Sequence, residues 1–184
     1  MAYKIIIDPG HGGSDSGATY NGRQEKDDAL RMAMAVGDLL KNAGFDVVYT
    51  RTTDVYNTPF EKATIGNEAG GDLFVSFHRN SSPTPNTYGG VQALVYNDSG
   101  FKGTLARNIN ENLVALGFED KGVVERPNLV VLKRTKMPAV LLELGFINSD
   151  KDNQLFDEKF NEIAQAIADG IIDTLNSNGI TASQ

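Results

Sequence analysis

The sequence predicts an α/β fold: a single three-layer α/β/α domain built on a mostly parallel sheet of about six strands. Strand-like and helix-like segments alternate along the chain, and this alternation is typical of a parallel sheet covered by helices on both faces. A length of 184 residues fits one domain. Hydrophobic residues make up 40% of the chain and charged residues 22%, as in an average globular domain.

Short apolar or β-branched runs predict the strands. The first run, residues 3–7, is followed by Asp8-Pro9-Gly10, which is typical of a buried strand that ends in a turn. Similar runs predict strands at residues 46–50, 73–77, 90–96, 129–132 and 139–144.

Helical periodicity follows the glycine-rich loop of residues 11–21. Apolar residues recur on one face up to Leu40, acidic residues stand in the first turn, and Gly44 supplies the stop. Further helices are predicted at residues 59–69, 101–116 and 157–175. We therefore expect a catalytic domain over residues 1–176 and a flexible tail, or the start of a linker, over residues 177–184.

Composition excludes several classes of protein. There are 17 basic and 24 acidic residues, for a net charge of −7, and nucleic acid is a poor partner for such a chain because phosphate binding needs a basic stripe. The absence of cysteine excludes disulfides, cysteine-ligated metal sites and thiol nucleophiles. No apolar run approaches the roughly 20 residues needed to span a bilayer, so we expect no membrane insertion.

The only two histidines fall where an α/β sheet keeps its functional site. His11 lies just beyond the first predicted strand, and His78 closes the third; the carboxyl ends of such strands border the functional crevice. Catalytic zinc takes three ligands from His and Asp or Glu and leaves one position for water. Glu25 is a candidate third ligand because it opens the first helix, and on spacing alone Asp27 and Asp28 are nearly as eligible.

Glu143 is the candidate general base. It interrupts the apolar run AVLLELGF, where an unpaired buried carboxylate would cost several kcal/mol. A carboxylate in that setting is usually paired or functional, and a metal hydrolase needs a group that takes a proton from water. The alternative is a glutamate exposed to solvent near the end of the strand.

Three segments together resemble the zinc-dependent N-acetylmuramoyl-L-alanine amidases, a family of bacterial and phage cell-wall hydrolases. They are IDPGHGGSDSGA with the glutamate at position 25, SFHRN, and PAVLLELGFINS. The similarity extends over nearly the whole chain, from about residue 4 to residue 175, and it implies a six-stranded α/β/α fold. It also implies one Zn²⁺ bound by His11, Glu25 and His78, with Glu143 as the catalytic glutamate, and so favours Glu25 over its neighbouring aspartates.

Two substrate-binding residues are expected from the same resemblance. Asn80 matches an asparagine that follows the second histidine in the family, although an ordinary turn asparagine fits equally well. Phe77 and Ser81 are mild departures from the family pattern. Arg126 lies in a segment similar to a substrate-side loop, where a guanidinium can bind a stem-peptide carboxylate in a bidentate pair; the alternative is a surface salt bridge.

The implied reaction is hydrolysis of the amide between N-acetylmuramic acid and L-alanine in peptidoglycan, by zinc-activated water with Glu143 as general base. One alternative is another zinc peptidase of the cell wall, a stem-peptide carboxypeptidase or endopeptidase with the same ligands. The other is a non-catalytic wall-binding module, which the lack of tryptophan and of repeats disfavours.

We expect the protein to act on the bacterial cell wall. The start of the chain shows no secretory signal, which fits either a phage endolysin released by a pore-forming partner or the excised catalytic domain of a secreted autolysin. A net charge of −7 provides no attraction to an anionic wall. An additional wall-binding domain in the full-length protein is therefore part of the expectation.

Overall fold

A computed structural model describes residues 1–182 and shows a six-stranded sheet in the order β4-β1-β5-β8-β6-β7, with a separate two-stranded hairpin, β2-β3. In chain order the strands are β1 (Lys4–Pro9), β2 (Thr19–Tyr20), β3 (Arg23–Gln24), β4 (Asp46–Tyr49), β5 (Leu73–Asn80), β6 (Val91–Val95), β7 (Asp120–Glu125) and β8 (Ala139–Phe146).

The sheet consists of two parallel blocks that run in opposite directions. Strands β4, β1, β5 and β8 are parallel to one another. Strand β6 is antiparallel to β8, and β7 is parallel to β6. The predicted sheet of six mostly parallel strands is confirmed, and its largest block carries His78, Asn80 and Glu143 and leads into the loop of His11.

Helices cover both faces of the sheet. They are α1 (Glu25–Asn42), α2 (Pro59–Glu68), α3 (Gly100–Val114), α4 (Val130–Lys133), α5 (Asp150–Glu158) and α6 (Phe160–Ser177). Helices α1, α3 and α6 pack over one face around the larger core. On the other face α2 and α4 contact each other, and α4 packs on a smaller core that includes Ile6, Phe74 and Leu141. Alternate residues of each strand point to opposite faces, so every central strand contributes to both cores.

The prediction of a strand at residues 129–132 is wrong. These residues enter the short helix α4, whose Val131 and Leu132 are buried against the smaller core. A short apolar run does not distinguish a strand from a buried helical turn. The sixth strand is instead β7, an edge strand with a glycine and charged ends, and its sequence, DKGVVE, lacks the continuous apolar character of a central strand.

The prediction of one helix over residues 157–175 is also corrected. The structure has two helices in this part of the chain, α5 and α6, with a break at Lys159. The first begins after Ser149, whose hydroxyl accepts a hydrogen bond from the backbone N–H of Asp152.

Beyond α6 the chain turns back: the backbone N–H of Ile180 donates to the carbonyl of Leu175 at 2.9 Å, and the Ile180 side chain packs against the larger core. The last two residues of the predicted tail, 183–184, lie outside the described residues.

No helix in the described part of the chain combines the length and the apolar character that a membrane span requires.

Phe74 tests the contribution of the smaller core, because it is fully buried on β5, the central strand that carries His78. We expect Phe74→Ala to lower the free energy of unfolding by about 3–5 kcal/mol, through lost burial and the cavity left behind. Phe60 is 62% exposed, and Phe60→Ala should change the free energy of unfolding by less than about 0.5 kcal/mol. Urea denaturation of both variants measures the difference; equal effects would contradict this assignment of the core.

Candidate active site

Three elements bring His11, Glu25 and His78 together at one end of the sheet. His11 lies in the loop after β1, His78 lies near the end of the adjacent strand β5, and Glu25 is the first residue of α1. Nε2 of His11 and Nδ1 of His78 lie 3.0 Å and 3.1 Å from the same carboxylate oxygen, Oε1 of Glu25. The two ring nitrogens are 3.2 Å apart. The structure thus brings together the three ligands expected from the sequence.

The spacing of these three atoms fits a single small metal ion. Zinc lies about 2.0–2.1 Å from nitrogen and oxygen ligands, and in a tetrahedral site such ligands are about 3.3 Å apart. Two imidazole nitrogens and one carboxylate oxygen are also a donor set that suits zinc. Within residues 1–182, this is the one cluster of three such side chains whose ligand atoms converge on a point.

Glu25 is held in place by the backbone as well as by the histidines. Its Oε2 accepts a hydrogen bond from the N–H of Ala18 at 2.9 Å, and its Oε1 accepts one from the N–H of Arg79 at 3.1 Å. Burial alone would raise the pKa of Glu25, but the hydrogen bonds and charges of His11 and His78 hold this pKa well below its usual range. The carboxylate is therefore ionised, as a metal ligand must be.

The two neighbouring aspartates do not join the cluster. Asp27 is exposed. Asp28 is buried and forms ion pairs with Arg23, Arg31 and Arg79 at 2.7–2.9 Å. Of the three acidic residues in the first turn of α1, Glu25 alone therefore faces the histidines.

Asp15 orients His11 and was not anticipated from the sequence. Nδ1 of His11 donates to Oδ2 of Asp15 at 2.8 Å, which leaves Nε2 free to face the other two ligand atoms. Burial lowers the pKa of His11, but Glu25 and Asp15 outweigh this and raise the pKa above its ordinary value. Carboxylates commonly orient metal-binding histidines in this way. The feature of the sequence that points to this contact is that Asp15 follows His11 by four residues.

Glu143 lies beside His78 on the adjacent strand. The two residues are direct partners in the parallel register of β5 and β8, so their side chains lie on the same face of the sheet. The Oε2 atom of Glu143 is buried and has no hydrogen-bond partner among the described residues. Burial raises the pKa of Glu143 to about 7; the charge of Glu25 also raises this pKa, and that of His78 lowers it.

A cavity of about 280 Å³ opens next to the two histidines. It lies between α2 and the segment that leads into α4, and its walls are largely apolar. Pro59, Leu129, Val130, Val131 and Leu141 supply apolar walls, while Asn57 and Asn128 contribute amides. The cluster therefore adjoins a partly open pocket with largely apolar walls.

The two expected substrate-binding residues occupy different places. Asn80 ends β5, and its Oδ1 accepts a hydrogen bond from the N–H of Ser81 at 2.9 Å. Arg126 is exposed and follows β7, which runs opposite to β8, so it lies at the edge of the sheet away from the ends of β1 and β5. The structure does not bring Arg126 to the cluster, and both assignments stay predictions.

Comparison with known proteins places the chain among cell-wall amidases. The family profile described as N-acetylmuramoyl-L-alanine amidase matches residues 5–173. The chain is 36% identical to the sporulation-specific N-acetylmuramoyl-L-alanine amidase of Bacillus subtilis, over 98% of this chain and 71% of that protein. It is also 36% identical to the N-acetylmuramoyl-L-alanine amidase CwlM of Bacillus licheniformis, over 91% of this chain and 65% of that protein.

Solved structures agree with this relationship. The crystal structure of N-acetylmuramoyl-L-alanine amidase from Clostridium difficile 630 superposes with a TM-score of 0.90 at 34% identity, covering 97% of this chain and 99% of that one. The site geometry, the family profile and the relatives lead to one conclusion: the chain belongs to the N-acetylmuramoyl-L-alanine amidase family of enzymes.

Proposed function

We propose that this chain hydrolyses the amide bond between the lactyl group of N-acetylmuramic acid and L-alanine in peptidoglycan, with one zinc ion bound by His11, Glu25 and His78. The observation that supports this most strongly is the convergence of three ligand atoms within 3.0–3.2 Å of one another, on the same sheet edge as the unpartnered carboxyl of Glu143. Family membership supplies the identity of the bond.

Bound zinc would polarise the scissile carbonyl and acidify water. His11 and His78 would bind the ion through Nε2 and Nδ1, and Glu25 would bind it through Oε1. Asp15, by accepting a hydrogen bond from the N–H at Nδ1 of His11, keeps the opposite nitrogen available for the ion. These residues would not exchange protons with the substrate.

Glu143 would carry the proton. Its carboxyl has no competing hydrogen bond in the described part of the chain, so it is free to accept a proton from the attacking water. Burial raises the pKa of this carboxyl to about 7 in the metal-free protein. We expect the same group to pass the proton to the departing alanine nitrogen, because a base that takes a proton from water can return it as a general acid.

The same ligand set would also serve a peptidase that cuts within the stem peptide, and the products distinguish the two. The proposed amidase releases whole stem peptides with N-terminal alanine, whereas a stem-peptide peptidase leaves alanine on the sugar.

We further propose that the site of action is the bacterial cell wall. A net charge of −7 provides no electrostatic attraction to an anionic wall, and we propose that a wall-binding segment outside the matched region supplies the affinity for it.

Metal content tests the ligand assignment directly. We expect about one zinc per chain by elemental analysis, loss of peptidoglycan hydrolysis after chelation, and recovery on adding zinc. His78→Ala should reduce zinc binding by at least tenfold because it removes one of three ligands, whereas Asp27→Asn should bind zinc like the wild type. A wild-type protein that clears cell walls without any bound metal would contradict the proposal.

Glu143→Gln tests the proposed base, since the amide retains the shape of the side chain and cannot accept the proton. We expect kcat for release of stem peptides to fall by about 10²–10⁴, the usual contribution of a general base, with zinc content unchanged. Glu125→Gln, at the exposed end of β7, is the matched control and should leave kcat unchanged. Wall hydrolysis by Glu143→Gln at the wild-type rate would exclude this role.

The raised pKa of Glu143 also predicts a pH-dependent stability. A carboxyl with a folded-state pKa of about 7 destabilises the folded state above that pH, on the order of 3 kcal/mol, and this cost disappears below the unfolded-state pKa near 4.5. In chelator, Glu143→Gln should therefore gain stability relative to the wild type as the pH rises from 5 to 8. Urea denaturation at both pH values measures the change, and a difference that does not depend on pH would contradict the burial of this carboxyl.

A further inference from the structure

Two buried cations lie directly beneath the loop that carries His11. Arg51 follows β4, and Lys62 lies in the first half of α2; each is only 4% exposed. Neither residue is close to His11 in sequence. Both side chains reach the loop from elements that are separated from it by some 40–50 residues.

Lys62 binds the loop through its main-chain carbonyls. Its Nζ donates to the carbonyl oxygen of Pro9 at 2.7 Å and to that of His11 at 3.3 Å. The charge is balanced by Asp8, whose Oδ1 lies 3.3 Å from the same nitrogen. Asp8 is itself fixed, because its two oxygens accept hydrogen bonds from the hydroxyls of Thr50 and Ser76 at 2.7 and 2.6 Å.

Arg51 completes the set of carbonyl contacts. Its Nη2 donates to the carbonyl of Gly10 at 2.8 Å, and its Nε donates to that of Pro9 at 3.3 Å. The same guanidinium reaches the carbonyls of Lys26 and Thr53 at 3.0 and 2.9 Å. The carbonyls of three consecutive residues, 9–11, are therefore all bound by buried cations.

This loop needs such support because His11 adopts an unfavourable backbone conformation. Its φ is +61°, in the left-handed region that costs an ordinary residue about 1–2 kcal/mol. Strained residues persist where the surroundings over-determine their conformation. Burying two cations adds little to stability by itself, because the cost of desolvation offsets much of their attraction to the groups that they bind. Their place beneath His11 therefore indicates a more specific role.

We propose that Lys62 and Arg51 are positioning residues for the metal centre: by binding the carbonyls of residues 9–11 they hold the left-handed conformation of His11 and so place its Nε2 opposite Glu25 and His78. This inference rests on the zinc site of the proposed function. The effect of the two cations on catalysis passes through the geometry of the ligand they hold.

Zinc affinity of Lys62→Met tests the proposal. Competition with a chromophoric chelator should show a zinc Kd raised by about 10–100-fold, the usual effect of removing a group that orients a metal ligand. Lys159→Met is the matched control, because Lys159 also donates to a main-chain carbonyl, that of Leu116 at 2.8 Å, away from the site. Its zinc Kd should stay within twofold of the wild type. Unfolding of all variants is measured in chelator, so that stability and metal affinity are separated.

A second pair of variants keeps the test decisive if Lys62→Met does not fold. Arg51→Lys retains the charge but loses the fork that reaches several carbonyls, and it should weaken zinc binding. Lys62→Arg retains charge and donors, and should restore most of the affinity. Substitution with Co²⁺ gives a second readout, since a displaced His11 nitrogen changes the visible absorption of the bound ion.

The outcomes separate this inference from the proposed function. Folded Lys62→Met and Arg51→Lys proteins that bind zinc as tightly as the wild type would overturn the positioning role, even if both are less stable. A wild-type protein that binds no zinc would instead overturn the proposed function together with this inference. Weakened zinc binding confined to the Arg51 and Lys62 variants, with Lys159→Met unaffected, would support the positioning role.

Discussion

The parallel pairing of β1, β5 and β8 is the constraint on which the site depends. Because Gly10 donates its N–H to Phe77 and His78 pairs in register with Glu143, the strand ladder places the histidine loop, the second histidine and the acid side by side. A shift of one residue in any of these strands would turn its functional side chain to the opposite face. The backbone hydrogen bonds of the sheet thus place His78, Glu143 and the start of the His11 loop next to one another.

Within this frame two glutamates occupy contrasting environments. Glu25 meets two imidazoles and two backbone N–H groups, which favour its ionised form. Glu143 has a buried oxygen with no partner among the described residues, which favours its protonated form. Two carboxyl groups whose environments shift their pKa values in opposite directions suit different roles. Glu25 suits a permanent ligand, and Glu143 suits a group that gains and loses a proton.

The sequence predicted those parts of the fold and site that local patterns encode. The strands leading to His11 and His78 are continuous apolar runs, and Glu143 stood out because it interrupts such a run. The contacts that Arg51 and Lys62 make with the carbonyls of residues 9–11 were not predicted, because they join parts of the chain that are far apart in sequence. The strand β7 and the helix α4 were also missed, because an edge strand tolerates charge and a four-residue apolar run has no distinct period.

The segment between β7 and β8 has a consequence for how the enzyme can diversify. It crosses the face of the sheet that α2 covers and forms α4 there before the chain enters β8. In crossing it supplies Leu129, Val130 and Val131 to the cavity wall, whereas the ligands come from β5, the loop after β1 and the start of α1. Under the proposed function, the cavity wall and the metal ligands therefore come from separate stretches of chain, and substitutions in the crossing segment can reshape the cavity while His11, Glu25 and His78 keep their places.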